Sequence, residues 1–176
     1  MFRHLCILWI YGLLVAALCS PALLHAQASA ASPAVQLQTP AQPSIDKAIA
    51  VLDRYMDAVN RLDIEGIAEE YHFPHFRVVG KDLVIWETPL EALPMLSLPE
   101  EARRKAMENG LGEGWYRTLW GSRAVVHADE EKVHVATELI RQREDGSVIN
   151  RFNSFYVVTF DGGRWAIKGR SSYAPR

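Results

Sequence analysis

Apolar and polar residues alternate along the last third of the chain. Between Ser122 and Tyr173, Ala124, Val126, Val133, Val135, Leu139, Ile149, Phe155, Val157, Trp165 and Ile167 are interleaved with polar neighbours, the period-two signature of half-buried strands. Three turn signals punctuate the run, Ala128-Asp129-Glu130, Glu144-Asp145-Gly146 and Asp161-Gly162-Gly163, each with residues that tolerate tight hairpin loops. The pattern predicts three or four long antiparallel strands. A sheet of strands that long needs cover on one face.

Upstream the period changes to that of a helix. Ile45, Ala48, Ile49, Leu52, Tyr55, Met56, Val59 and Leu62 fall on one face, with Asp53, Arg54, Asp57 and Arg61 opposite and Ser44 placed to cap the start. A second short helix is predicted from Asp63, whose carboxylate can cap it, to Glu70, with Pro74 as its stop. Short strands follow at Phe76 to Val79 and Leu83 to Trp86 around Gly80-Lys81-Asp82. Leu90 to Leu98 is proline-rich and expected to be irregular, and a helix from Pro99 to Asn109 ends at Gly110. Helices first and a mostly antiparallel sheet afterwards predict the α+β class.

The first residues belong to a different pattern. A basic start at Arg3, an apolar run from Leu5 to Cys19 and the small-x-small site Ala26-Gln27-Ala28 predict a secretory signal peptide over residues 1–28. Residues 29–43 are Ala, Ser, Gln and Pro with almost no charge, which predicts a flexible linker. One domain over 44–176 remains. Both cysteines, Cys6 and Cys19, lie in the signal segment, so the exported chain is expected to use neither disulfide nor thiol chemistry. The formal charge of −2 for the whole chain changes little when Arg3 is removed. No basic field points to nucleic acid or to a membrane surface after cleavage. The expected location is periplasmic or extracellular.

The segment Arg54-Tyr55-Met56-Asp57-Ala58-Val59-Asn60-Arg61-Leu62-Asp63-Ile64-Glu65-Gly66-Ile67, with the terminal strand Gly169-Arg170-Ser171-Ser172-Tyr173, resembles the nuclear transport factor two-like superfamily, which includes SnoaL-like cyclases and ketosteroid isomerase. The resemblance implies a cystatin-like fold, in which a curved sheet wraps around N-terminal helices into a cone with an apolar cavity. It identifies a fold more strongly than a function. Ketosteroid isomerase pairs an aspartate base with an oxyanion hole of a tyrosine and a protonated aspartate. Carried onto this sequence, the tyrosine matches Tyr55, the base falls on Val79, which accepts no proton, and the second donor falls on Tyr156. Steroid isomerisation by that mechanism is therefore not expected.

Other residues are candidates for chemistry. His72 and His75 flank Phe73-Pro74 and could serve as acid or base with Tyr55, or could simply cap and pack. Tyr55, Trp86, Trp120, Phe152 and Tyr156 could line a pocket or form core. Arg141, Arg143, Arg151, Lys168 and Arg170 stand on adjacent predicted strands and could recognise an anion, Arg151 and Arg170 foremost, or pair with Glu138 and Glu144. His127, His134 and Glu138 lack the convergence a metal needs, and no metal or cofactor is expected. Apolar residues on both parities of the strand 147–160 predict burial on both faces, hence a homodimer joined through the sheet. Two functional readings stand: an exported module that binds a small hydrophobic or acidic ligand or a partner, and a SnoaL-like isomerase, cyclase or dehydratase.

Overall fold

The computed structural model describes residues 42–175. The predicted signal peptide and nearly all of the predicted linker lie outside the described residues. In chain order the elements are α1 (Gln42–Arg61), α2 (Ile64–Glu69), β1 (Tyr71–Val79), β2 (Asp82–Trp86), α3 (Pro89–Ala92), a 3-10 turn (Pro94–Ser97), α4 (Glu100–Leu111), β3 (Arg117–Ala128), β4 (Lys132–Gln142), β5 (Val148–Asp161) and β6 (Arg164–Ser172). The strands form one sheet in the order β2-β1-β6-β5-β4-β3, in which the β1–β6 pairing is parallel and the others antiparallel. This is the α+β architecture expected from the sequence, a curved and mostly antiparallel sheet wrapped around the N-terminal helices.

The hairpins form where the turn residues stand. The Asp129 carboxylate accepts from the Glu131 and Lys132 amides, the Asp145 carboxylate accepts from the Ser147 amide, and Gly146, Gly162 and Gly163 adopt positive φ. The sheet curves because the ladder slips repeatedly. Register shifts occur between Trp120 and Ser122, Val125 and His127, Arg141 and Gln142, and Val157 and Val158, and each such irregularity adds local twist and bend.

The concave face carries the core. Val133, Val135 and Leu139 lie opposite Val158, Tyr156 and Phe152, and all six are buried. Onto them α1 lays Ala48, Val51, Leu52, Tyr55, Met56 and Val59, the i, i+3, i+4, i+7 stripe of an amphipathic helix. Asn60 fastens α1 to β3 by a pair of hydrogen bonds. Its amide nitrogen donates to the Thr118 carbonyl at 3.0 Å, and its carbonyl oxygen accepts from the Thr118 amide at 2.7 Å. Asp63 caps α2 by accepting from the Gly66 amide at 2.8 Å.

Several local expectations are corrected. Ser44 is not the N-cap, because α1 starts at Gln42; Ser44 is buried inside the helix and donates to the Glu130 carbonyl of the β3–β4 turn. Pro74 does not stop α2. The helix ends at Glu69, and Pro74 lies within β1, where the pairing with β6 is interrupted between Tyr71 and Phe76. Leu90 to Leu98 is not wholly irregular, since Thr88 caps α3 by accepting from the Glu91 amide. The fourth helix runs one residue past Gly110 to Leu111, and Gly112 at φ 115° ends it.

Candidate functional site

A cavity of about 230 Å³ lies between the helices and the concave face of the sheet. Tyr55, Met56 and Val59 of α1, Ile64 and Ile67 of α2, and Met107 and Leu111 of α4 supply an apolar wall. Leu93 and Met95, half-buried in the segment before α4, add to it. The sheet supplies the other wall, with Tyr71 and Arg77 from β1, Thr118 from β3, Leu139 and Arg141 from β4, Phe152 from β5 and Arg170 from β6. An apolar cavity of about 150 Å³ takes a benzene ring, so this one has room for a ring and a headgroup.

The register explains the polar side. Arg77 pairs with Arg170 across the parallel seam, and Arg170 pairs with Tyr156 on β5. Arg170 is 7% exposed. It donates to the Ser154 hydroxyl from Nε at 3.3 Å and Nη2 at 2.9 Å, to Ser172 at 3.4 Å, and to the Tyr55 hydroxyl from Nη1 at 3.3 Å. Its guanidinium also lies 4.9 Å from the Tyr156 ring centroid and 5.9 Å from that of Phe152. Arg141 stands over the same Phe152 ring at 5.0 Å. The Nε atoms of Arg77 and Arg141 are shielded from solvent and have no hydrogen-bond partner. Burial, reinforced by the like charges of Arg170 and Arg77, holds the Arg141 pKa below its ordinary value. Burial raises the pKa of the Tyr55 phenol, but the charges of Arg170 and Arg77, with the neighbouring Tyr71 and Tyr156 hydroxyls, outweigh that effect and leave it below normal. The centre is thus electropositive, with a phenol poised to donate a hydrogen bond.

The structure does not bring the sequence's candidate bases to this cavity. His75 is 1% exposed and lies in β1, where its Nδ1–H donates to the Ile167 carbonyl at 3.1 Å and its ring is stacked between Tyr71 at 4.1 Å and Trp86 at 5.8 Å. Burial pushes its pKa down to about 4. His72 is buried and its Nε2–H donates to the Thr159 carbonyl at 3.2 Å. Neither histidine is among the cavity-lining residues; both lie in β1, whose Tyr71 and Arg77 do reach the cavity, instead of at the end of α2.

Of the other candidates, Tyr55, Phe152 and Arg170 meet at the cavity. Tyr156 lies behind Arg170, fully buried, with its hydroxyl unpaired. Trp120 packs edge-on against Tyr156 at 5.9 Å, and Trp86 covers His75; neither lines the cavity. Arg151 points away from the site. It is exposed on β5 and pairs with Glu138 at 3.6 Å. The expected patch of five cations is therefore divided, with Arg141 and Arg170 inside, Arg151 outside, Lys168 half-buried on β6 away from the lining, and Arg143 beside the β4–β5 turn, where it reaches the Ser147 hydroxyl. Arg77 was missed by sequence reasoning. Its signal was a lone cation in the apolar run Phe76-Arg77-Val78-Val79. The cross-strand rings of His127 and His134 are 6.2 Å apart, and among the described residues no group of three His, Cys, Asp or Glu could hold a metal.

The family described as NTF2-like protein (DUF6841) matches residues 46–174 of the chain. Among solved structures, an NTF2-like protein of unknown function from Pseudomonas putida KT2440 superposes with a TM-score of 0.57 at 16% identity, over 78% of this chain and 90% of that one. An NTF2-like protein with a cystatin-like fold from Novosphingobium aromaticivorans gives 0.56 at 13% identity, over 74% and 81%. A protein of unknown function with a cystatin-like fold from Nostoc punctiforme gives 0.55 at 12% identity, over 76% and 92%. At such identities the likeness concerns the fold alone. No curated protein matches the chain.

Proposed function

The chain belongs to the family of NTF2-like proteins (DUF6841), and from that premise we propose that its domain is a small-molecule-binding module whose ligand occupies the cavity between α1, α4 and the concave sheet. The observation that carries this reading is the cavity itself, about 230 Å³ of space whose walls combine an apolar helix side with a polar sheet side. Sites for small molecules have this composition, mostly apolar with a few convergent polar groups. Met107 and Leu111 of α4 lie on the apolar side of the cavity, so a compound would place its body against the helices. The alternative of acid–base catalysis by His72 or His75 with Tyr55 finds no support in their placement, since a general base must reach the proton it takes.

The test is native mass spectrometry of the protein purified from its own source, wild type beside Met107→Trp. The wild type is expected to carry a bound compound that the variant, with an indole filling the cavity, has lost. A wild type with an empty cavity that binds no apolar probe would overturn the reading.

We further propose that the convex face of the sheet joins two copies of the chain. Ile85, Phe76, Gly169, Val157 and His134 follow one another across five strands, and Leu83, Val78, Ser171, Phe155 and Ala136 form the neighbouring row. Ile85 and Leu83 are 55% and 63% exposed. Such a largely apolar face favours a self-complementary partner.

A further inference from the structure

We propose that the cavity is built for an organic oxyanion, an apolar body with a carboxylate or phosphate headgroup that Arg77, Arg141 and Arg170 hold between them. The inference rests on the small-molecule reading above and names the chemistry that the ligand must bring.

The argument begins with where the chain spends its carboxylates. Arg54 pairs with Glu70, Arg61 with Asp63, Arg103 with Glu65, Arg104 with Glu108, Arg123 with Asp53 and Arg151 with Glu138. Among the described residues, no ion pair involves Arg77, Arg141 or Arg170. Of the paired arginines all but Arg103 are exposed, whereas Arg170 is buried and Arg77 and Arg141 are half-buried with their Nε atoms shielded from solvent. An exposed arginine gains little from a carboxylate because water already solvates it, whereas a buried one left uncompensated carries a desolvation cost that only an opposite charge offsets.

The three guanidiniums also share one place. Arg77 and Arg170 are directly paired on adjacent strands, and Arg170 and Arg141 flank the single ring of Phe152. The hydroxyls of Ser154, Ser172 and Tyr55 hold Arg170 in orientation. Hydroxyls are neutral acceptors, so they fix the fork without cancelling its charge. The aromatic faces of Phe152 and Tyr156 satisfy the planes of the cations but not their in-plane N–H groups. Arg77 and Arg141 each leave Nε buried and unbonded. An oxyanion supplies both missing items, a negative charge and acceptors in the plane of the guanidinium. The Tyr55 hydroxyl, one bond from Arg170 and lining the same cavity, is placed to donate to the same headgroup.

Calorimetric titration of the full chain with 2-naphthoate, 2-naphthyl phosphate and 2-naphthalenemethanol tests this, since the three share a body and differ in headgroup. At least one anion is expected to bind more than about tenfold tighter than the alcohol. Which anion it is distinguishes a carboxylate ligand from a phosphate ester. Arg141→Gln and Arg77→Gln are each expected to lose about tenfold for that anion and less than about twofold for the alcohol. Neither of those two side chains makes a hydrogen bond that folding depends on, so the melting temperature of the ligand-free variants should stay level or rise. A fall of more than about 5 °C in both would make the arginines structural and overturn the proposal. Equal binding of the alcohol and both anions would overturn the anionic headgroup while leaving the small-molecule cavity standing. Binding of none of the three by the wild type would overturn the cavity reading as well.

Discussion

Two residues carry more of the stability than their size suggests. Burial holds the His75 pKa at about 4, below the ordinary value near 6.5. A folded pKa depressed in this way means that the unfolded chain takes up the proton first. The stabilisation is complete above about pH 6.5 and is lost as pH falls from there towards 4, by up to about 3 kcal/mol. Urea midpoints measured between pH 7 and pH 4 should therefore fall, and the fall should be shallower in His75→Phe. Asn60→Ala should cost about 2 kcal/mol at any pH, because it strands the buried Thr118 amide and carbonyl that Asn60 pairs; chemical denaturation checks it. Asn60 was visible in the sequence only as part of a family-like segment. Its role depends on a strand roughly sixty residues later, which no local pattern encodes. The arginines divide in the same way. Arg141 and Arg170 stood out because they stand on adjacent predicted strands, whereas Arg77, inside the short strand predicted at Phe76 to Val79, was not singled out.

Among the elements, β1 is where sequence and structure part. Tyr71-His72-Phe73-Pro74-His75 has no clean alternation and contains a proline, features that read as the end of a helix. Tertiary pairing overrides them, since Ile167 donates its amide to the Glu70 carbonyl and β6 then continues alongside β1. The long hairpins were legible because period two and turn chemistry agree along strands of 9 to 14 residues. A tight contact marks the β1–β6 seam. Gly169 lies directly under the Phe76 ring, so that a Cβ there would sit inside it. Gly169→Ala is expected to destabilise by about 2 kcal/mol through overpacking, and Phe76→Ala in the same chain should recover part of that loss. A double-mutant cycle measured by thermal unfolding gives the coupling; strict additivity would show that the ring does not rest on the glycine.

At the scale of the molecule, the alternation of burial along β4 and β5 separates two faces with different tasks. Val133, Val135, Thr137 and Leu139 are buried against the helices, while His134, Ala136, Glu138 and Ile140 between them remain half-buried without cover in the single chain. The proposed sheet-to-sheet dimer should appear as twice the chain mass in light scattering, and Val157→Asp, which places a charge in the middle of the convex face, should yield a monomer with the same circular dichroism. A wild type that is monomeric at micromolar concentration would remove the proposed interface. The family-like segment and the element order made the fold readable, but the cavity was not, because its walls are side chains drawn from three helices and five of the six strands.

The parallel seam joins Arg77 to Arg170, residues roughly ninety positions apart, so closing the cavity pairs segments that lie far apart along the chain. A guest gripped by both arginines would act as a clasp across that joint. Its departure and the parting of β1 from β6 would then be one event, and the lifetime of the occupied protein would be governed by how fast the clasp opens.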